Sequence, residues 1–162
     1  MAQRLCKIVM VAALLLCASC GWHLQGVHHV SENLQPLYVQ YSDLHSSFSR
    51  ALQDRLRASG VEVATDDTQA KVILQITKDD TGHRVISVSA TNIPAEYDVY
   101  YTVEFVLRSK SGELLLQQPL RGSQTMTYDE TRALAKQREE RLLSDTMAAE
   151  LADQLLRQIR RL

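Results

Sequence analysis

Tyr97-Asp98-Val99-Tyr100-Tyr101-Thr102-Val103-Glu104-Phe105-Val106-Leu107 alternates apolar and mostly polar side chains along its length. Successive side chains of a strand point to opposite faces. Tyr97, Val99, Tyr101, Val103, Phe105 and Leu107 therefore share one face, while Asp98, Tyr100, Thr102, Glu104 and Arg108 lie mostly on the other. This spacing predicts the central strand of a sheet with one covered face. Downstream, Ser109-Lys110-Ser111-Gly112 is a turn signal that leads into Glu113–Thr125, the expected antiparallel partner. Pro94 and Pro119 restrict the placement, because proline is tolerated only at a strand start or on an edge.

Upstream, Ala70–Thr77 alternates with Val72, Leu74 and Ile76 on one side, and a second extended run covers Val85–Ala90. Asp79-Asp80-Thr81-Gly82 between them reads as a turn, which leaves a hairpin and one long bent strand both open. Val61-Glu62-Val63 reads as a brief strand before the turn Thr65-Asp66-Asp67-Thr68, and Leu37, Val39 and Tyr41 mark a further strand.

Two helices frame these strands. Ser46 or Ser47 suits an N-cap, Phe48, Ala51, Leu52 and Leu56 recur on one side, and Gly60 stands where a left-handed C-terminal residue is wanted. Near the other end, Thr127-Tyr128-Asp129-Glu130 offers a capping box. Leu143, Met147, Leu151, Leu155, Ile159 and Leu162 form a stripe at helical spacing, with Leu142, Ala148, Ala152 and Leu156 beside it. The stripe fades before Leu142, so Asp129–Glu140 reads either as a separate turn of helix or as a structured loop. The expected fold class is α+β: a two-layer sandwich, with two helices packed on one face of a mostly antiparallel four-stranded sheet.

The N-terminus has a different character. Arg4 and Lys7 precede the apolar run Ile8–Cys17, and the small residues Ala18 and Ser19 precede Cys20. That is the order of a secretory signal, with an apolar stretch too short to span a bilayer. A cysteine directly after the small pair matches a bacterial lipobox, although Cys17 stands where leucine is usual. An ordinary cleaved signal and an uncleaved anchor helix are the alternatives. The expected organisation is a signal peptide over residues 1–19, a lipidated tether or first segment over 20–33, and one α+β domain over 34–162.

Cleavage would leave about 143 of the 162 residues, enough for one domain with a real core. It would also remove Arg4 and Lys7, moving the formal charge from −1 to about −3, which argues against wholesale nucleic-acid binding. Cys6 and Cys17 lie in the leader and Cys20 would carry lipid, so no disulfide is expected.

The residues give catalysis little foothold. His28 and His29 are adjacent and would face opposite ways on a strand, and no second ligand cluster has zinc spacing, so no metal or cofactor is expected. The chain has no Gly-x-Ser-x-Gly elbow and no glycine-rich phosphate loop. The pairs Asp66-Asp67 and Asp79-Asp80 sit in turn-like, solvated contexts that would not raise a carboxyl pKa. What remains is a cationic group, Arg132, Lys136, Arg138 and Arg141, interrupted by Glu130, Glu139 and Glu140. It reads either as a solvated helix face with pairs such as Arg141 and Asp145, or as a small site for an anionic head group.

Cys20-Gly21-Trp22-His23-Leu24, directly after a lipobox, resembles the start of the LptE (RlpB) family of lipopolysaccharide-assembly lipoproteins. Leu52 and Leu56 before Gly60-Val61-Glu62, then Ala95-Glu96-Tyr97, then Ala133-Leu134-Ala135-Lys136 and the Leu151–Leu162 helix match further pieces in order. The resemblance implies a non-enzymatic lipoprotein of the outer membrane, facing the periplasm and lying in the lumen of the LptD β-barrel. There it would support barrel assembly and the insertion of lipopolysaccharide into the outer leaflet. It implies two helices on a four-stranded sheet; this chain ends at Leu162, so no long tail is expected after its last helix. Gly21 in place of aspartate suits that destination.

By the same resemblance Cys20 is the lipid attachment position, and Lys136 matches a lysine used toward the ligand. The family's second basic position, shortly before Ala-Glu-Tyr, has no counterpart, since Ala90 and Thr91 occupy that region and Arg84 is the nearest cation. Lys136, Arg132 and Arg84 are therefore the candidate lipopolysaccharide-binding residues, and exposed tyrosines such as Tyr100 and Tyr128 are candidate contacts to the barrel. The competing reading is an envelope lipoprotein that binds another ligand, such as peptidoglycan or a soluble partner, without a barrel.

Overall fold

The structure is a computed structural model that describes residues 30–162. The leader, Cys20 and the Cys20–Leu24 segment lie outside the described residues. The elements run β1 (Leu37–Gln40), α1 (Ser47–Ala58), β2 (Val72–Val88), β3 (Pro94–Ser109), β4 (Leu114–Thr127) and α2 (Ala133–Ile159), with short 3-10 turns at Glu32–Leu34 and Glu130–Arg132. The sheet order is β1-β2-β3-β4, with β1 parallel to β2 and both other pairs antiparallel. Both helices pack on one face, the α+β arrangement that the alternation of β3 predicts. Pro94 opens β3, and Pro119 sits in the edge strand β4, where a missing ladder donor is tolerated.

Val99, Tyr101, Val103, Phe105 and Leu107 of β3 are each 1% exposed or less, which makes this strand the floor of the core. Burying a side chain of this size contributes about 1.5–3 kcal/mol. The core is closed from α1 by Phe48, Leu52 and Leu56, and from α2 by Met147, Leu151, Leu155, Leu156 and Ile159. Ala148 and Ala152 of α2 are fully buried and let that helix approach closely. Between the helices, the Arg55 guanidinium meets Asp153 at 2.7 Å.

Helix α1 has the ends its sequence predicts. Ser46 Oγ accepts the N–H of Ser49 at 3.0 Å. Gly60 takes φ +64°, donating its N–H to Arg57 O at 3.1 Å while Val61 N–H reaches back to Leu56 O at 3.2 Å. This pair of bonds is a Schellman closure, and buried Val61 supplies the apolar contact that accompanies it.

Asp79-Asp80-Thr81-Gly82 does not turn. It lies inside β2, a single strand of 17 residues, so the long-strand alternative holds. An irregularity at Thr77, between Ile76 and Lys78, shifts the register. Upstream of it Val72, Leu74 and Ile76 face the helices; downstream Asp79, Thr81, His83 and Val85 do, opposite Val103, Tyr101, Val99 and Tyr97. The polar side chains that resemble turn formers are instead occupied by the neighbouring strand β3 and by the cap of α1. Asp79 accepts from Tyr101 and Ser46, and Thr81 Oγ1 donates to Tyr100 O at 2.9 Å.

Other expectations are modified. Val61–Val63 reduces to a single parallel bridge between Leu37 and Val63. The Thr127 capping box does not form: Thr127 ends β4, and Asp129 caps the following turn through Thr131 N–H at 2.9 Å and Thr131 Oγ1 at 2.6 Å. These bonds hold the Asp129 carboxyl below its usual pKa. Helix α2 then runs without interruption from Ala133. Leu142 and Leu162, counted with the apolar stripe, are 66% and 55% exposed. Asp145 accepts from Ser47 Oγ of α1 at 2.5 Å, not from Arg141.

Candidate ligand-binding site

The first turns of α2 lie over the far end of the sheet, and polar contacts hold them there. Ser144 Oγ is 3.2 Å from Thr81 Oγ1, and Glu140 Oε1 is 2.7 Å from His83 Nδ1. Beneath them is an aromatic cluster. Tyr97 meets His83 edge-on with centroids 4.9 Å apart and Tyr128 edge-on at 5.1 Å. Tyr128 is held in place by its own N–H, which donates to Ala95 O at 2.8 Å. These three rings, with Met126, Lys136 and Glu140, line a cleft of about 210 Å³.

Lys136 stands at the rim of this cleft. Its side chain is only 17% exposed, and its Nζ is 2.9 Å from Glu139 Oε2. The stem therefore runs along the aromatic wall while the ammonium sits beside a surface carboxylate that is 47% exposed. Surface pairs of this kind contribute about 0–1 kcal/mol, so an incoming phosphate with several charged oxygens competes readily for the ammonium. Arg132 lies one turn earlier, exposed, in the 3-10 turn.

The structure separates Arg84 from these two. His83 faces the helices, so Arg84 points to the opposite, helix-free face, where Nη2 meets Asp98 Oδ2 at 2.7 Å. It borders a second cleft of about 480 Å³ with Lys78, Asp80, Tyr100 and Arg121. Asp80 and Asp98 offset much of the positive charge there. Tyr100 and Tyr128 are half-buried rather than exposed. The Tyr100 ring lies over Gly82, where an added Cβ would come within 2.9 Å of its hydroxyl. Sequence reasoning missed His83, Tyr97 and Met126, because their convergence depends on the register shift at Thr77. Among the described residues no group of three His, Cys, Asp or Glu side chains is placed to hold a metal, and no helix is long and apolar enough to cross a membrane.

The family model described as "LptE: Lipopolysaccharide-assembly" matches residues 34–159, from the residue that ends the first 3-10 turn to the end of α2. The chain belongs to the LptE family. It is 28% identical over 160 residues to the LPS-assembly lipoprotein LptE of Pectobacterium atrosepticum, covering 98% of this chain and 86% of that one. It is 26% identical to LptE of Yersinia enterocolitica, covering 98% and 77%. Among solved structures, rare lipoprotein B of Shewanella oneidensis superposes with a TM-score of 0.67 at 27% identity, covering 76% of this chain and 92% of that one. Lipoprotein B of Nitrosomonas europaea superposes with a TM-score of 0.72 at 22% identity, covering 86% and 90%, and shares the fold. The two-layer LptE architecture thus extends through the segment that carries the Lys136 cleft.

Proposed function

We propose that this LptE-family protein is a non-enzymatic lipoprotein of the outer membrane, anchored through Cys20, which complexes with and plugs the LptD β-barrel. In that position it supports barrel assembly and the insertion of lipopolysaccharide into the outer leaflet. The observation that carries the reading is the family match over residues 34–159, joined to a fold with the same two layers. A compact domain with a mixed polar surface suits a wide, water-lined barrel interior. Tethering beside the partner raises its effective concentration, so a modest interface stays occupied.

Lys136 is the lipopolysaccharide contact in this reading, as a point charge for phosphate at the rim of an aromatic cleft. Arg132 extends the positive field. Arg84 belongs to the other sheet face and would serve only a ligand or wall that reaches both sides.

Copurification tests the main claim. A stable one-to-one complex with an outer-membrane β-barrel, and failure of that barrel to mature when this protein is depleted, are the expected results. A monomer that leaves the barrel unaffected would favour the alternative, an envelope lipoprotein with a different ligand. Mass spectrometry of the native protein tests the anchor: a diacyl- or triacyl-modified Cys20 at the mature N-terminus is expected.

A further inference from the structure

Three described carboxylates, Asp129, Glu139 and Glu140, lie near Lys136, and two of them are committed elsewhere. Asp129 accepts from the Thr131 hydroxyl at 2.6 Å and from the Thr131 N–H at 2.9 Å. Glu140 Oε1 accepts from His83 Nδ1 at 2.7 Å. Of the three, Glu139 pairs with the ammonium, at 2.9 Å, and water weakens its hold.

Glu140 is the carboxylate that most needs a restraint. Positions 136 and 140 are one turn apart on α2, and side chains at i and i+4 share a helix face. Both residues line the same cleft. The Glu140 side chain is 29% exposed against 47% for Glu139, so solvent screens its charge less. A partly buried carboxylate that loses its donor must find another, and the lysine that shares its cleft is Lys136.

The donor that holds Glu140 is set by the sheet. An ionised carboxylate can only accept, so Nδ1 is the protonated nitrogen of this bond. The register of β2 after Thr77 turns His83 toward the helices, opposite Val99 of β3. Tyr97 meets the imidazole edge-on at 4.9 Å and is itself met edge-on by Tyr128. Two residues before His83, Thr81 Oγ1 lies 3.2 Å from Ser144 Oγ and holds the next turn of α2. The imidazole therefore meets Glu140 from a fixed position on β2.

We propose that His83 is a positioning residue of the phosphate site: by binding Glu140 it keeps that carboxylate off Lys136 and leaves the ammonium available to a phosphorylated glycolipid. The inference rests on the reading of Lys136 as a lipopolysaccharide contact and adds the residue that protects its charge.

The test uses the full chain, with lipopolysaccharide as the probe at low salt. His83→Phe keeps an aromatic ring beside Tyr97 and removes the donor. The His83 side chain is about half exposed, so the thermal transition should stay close to that of the wild type. Affinity should fall by about threefold, the scale of one surface ion pair that the phosphate must first break. His83→Phe/Glu140→Gln should regain the lost affinity, because a neutral amide does not compete with phosphate for the ammonium. In a Lys136→Ala background His83→Phe should cause no further loss. His83→Ala, made in parallel, guards against a packing fault from the phenyl ring and should be rescued by Glu140→Gln in the same way.

Wild-type affinity in both His83 variants would overturn the proposal. So would a loss that Glu140→Gln does not reverse, or one that persists without Lys136, since either marks a purely structural role. A Lys136→Ala protein that binds as tightly as the wild type would instead remove the lysine from the site, and the role of His83 with it.

Discussion

Tyr101 Oη donates to Asp79 Oδ1 across 2.8 Å and accepts the N–H of Phe48 at 3.2 Å, tying the centre of β3 to the shifted half of β2 and to the first turn of α1. Ser46, which caps α1, donates to the other oxygen of Asp79. One phenol thus satisfies a helix-terminal donor and a carboxylate at the edge of the core. Tyr101→Phe removes that bridge without changing the packing volume and leaves both groups short of a partner. Urea unfolding should show a loss of about 1–3 kcal/mol, the scale for a buried polar group deprived of its bond. An unchanged midpoint would mean that water replaces the hydroxyl at no cost.

The same burial makes stability sensitive to alkali. Burial of Tyr41 pushes its pKa up to about 12, with the nearby Arg57 partly opposing the shift. Tyr101 is raised further, first by burial and then by its bond to Asp79. A pKa raised on folding means that the native state holds its proton more tightly. The stabilisation is complete below the unfolded tyrosine pKa of about 10 and fades as pH rises beyond it. Unfolding midpoints should be flat between pH 8 and 9 and fall progressively above about pH 10. Tyr101→Phe should reduce that slope.

Gly60 closes α1 at φ +64°, with open space around the position of a Cβ. Gly60→Ala therefore meets no clash, only the intrinsic cost of a left-handed conformation, about 1–2 kcal/mol. Thermal unfolding of this variant should fall by that amount while the circular dichroism spectrum stays native. A rise in stability would show that α1 ends differently in solution.

Two leucines of α2 separate the buried helix from its exposed start. Leu155 is fully buried and Leu142 is 66% exposed, although both belong to the apolar pattern of the chain. Leu155→Ala should cost about 2–5 kcal/mol. Leu142→Ala should stay within about 0.5 kcal/mol. Similar losses at both positions would mean that the N-terminal turns of α2 pack more tightly than this arrangement allows.

Charge reversal at Lys136 addresses the ligand directly. Lys136→Glu places a second carboxylate beside Glu139 at the rim of the cleft, so lipopolysaccharide binding should drop by about tenfold or more at low salt. The side chain is on the helix layer and outside the core, so barrel copurification should persist. Equal binding by both proteins would remove Lys136 from the site.

Read alone, the sequence determined the layered α+β fold, the succession of β3 and β4, both ends of α1 and the covered face of β3. Each of these follows from local periodicity, or from a residue such as Gly60 whose backbone preference is intrinsic. The resemblance carried by Cys20–Leu24 and Ala133–Lys136 supplied the family, and with it the interest in Lys136. Only the tertiary structure decided the fate of Asp79–Gly82. Turn-forming side chains become strand residues when the neighbouring strand and the α1 cap take their hydrogen bonds, and Ser46, Tyr101 and Tyr100 lie far from them in sequence. It also decided which cations share a site. The register shift at Thr77 sets which face each residue from Lys78 to Val85 presents, so it brings His83 under Lys136 and sends Arg84 to the other side of the sheet. Such convergence comes from pairing between strands distant in the chain, which no local pattern encodes.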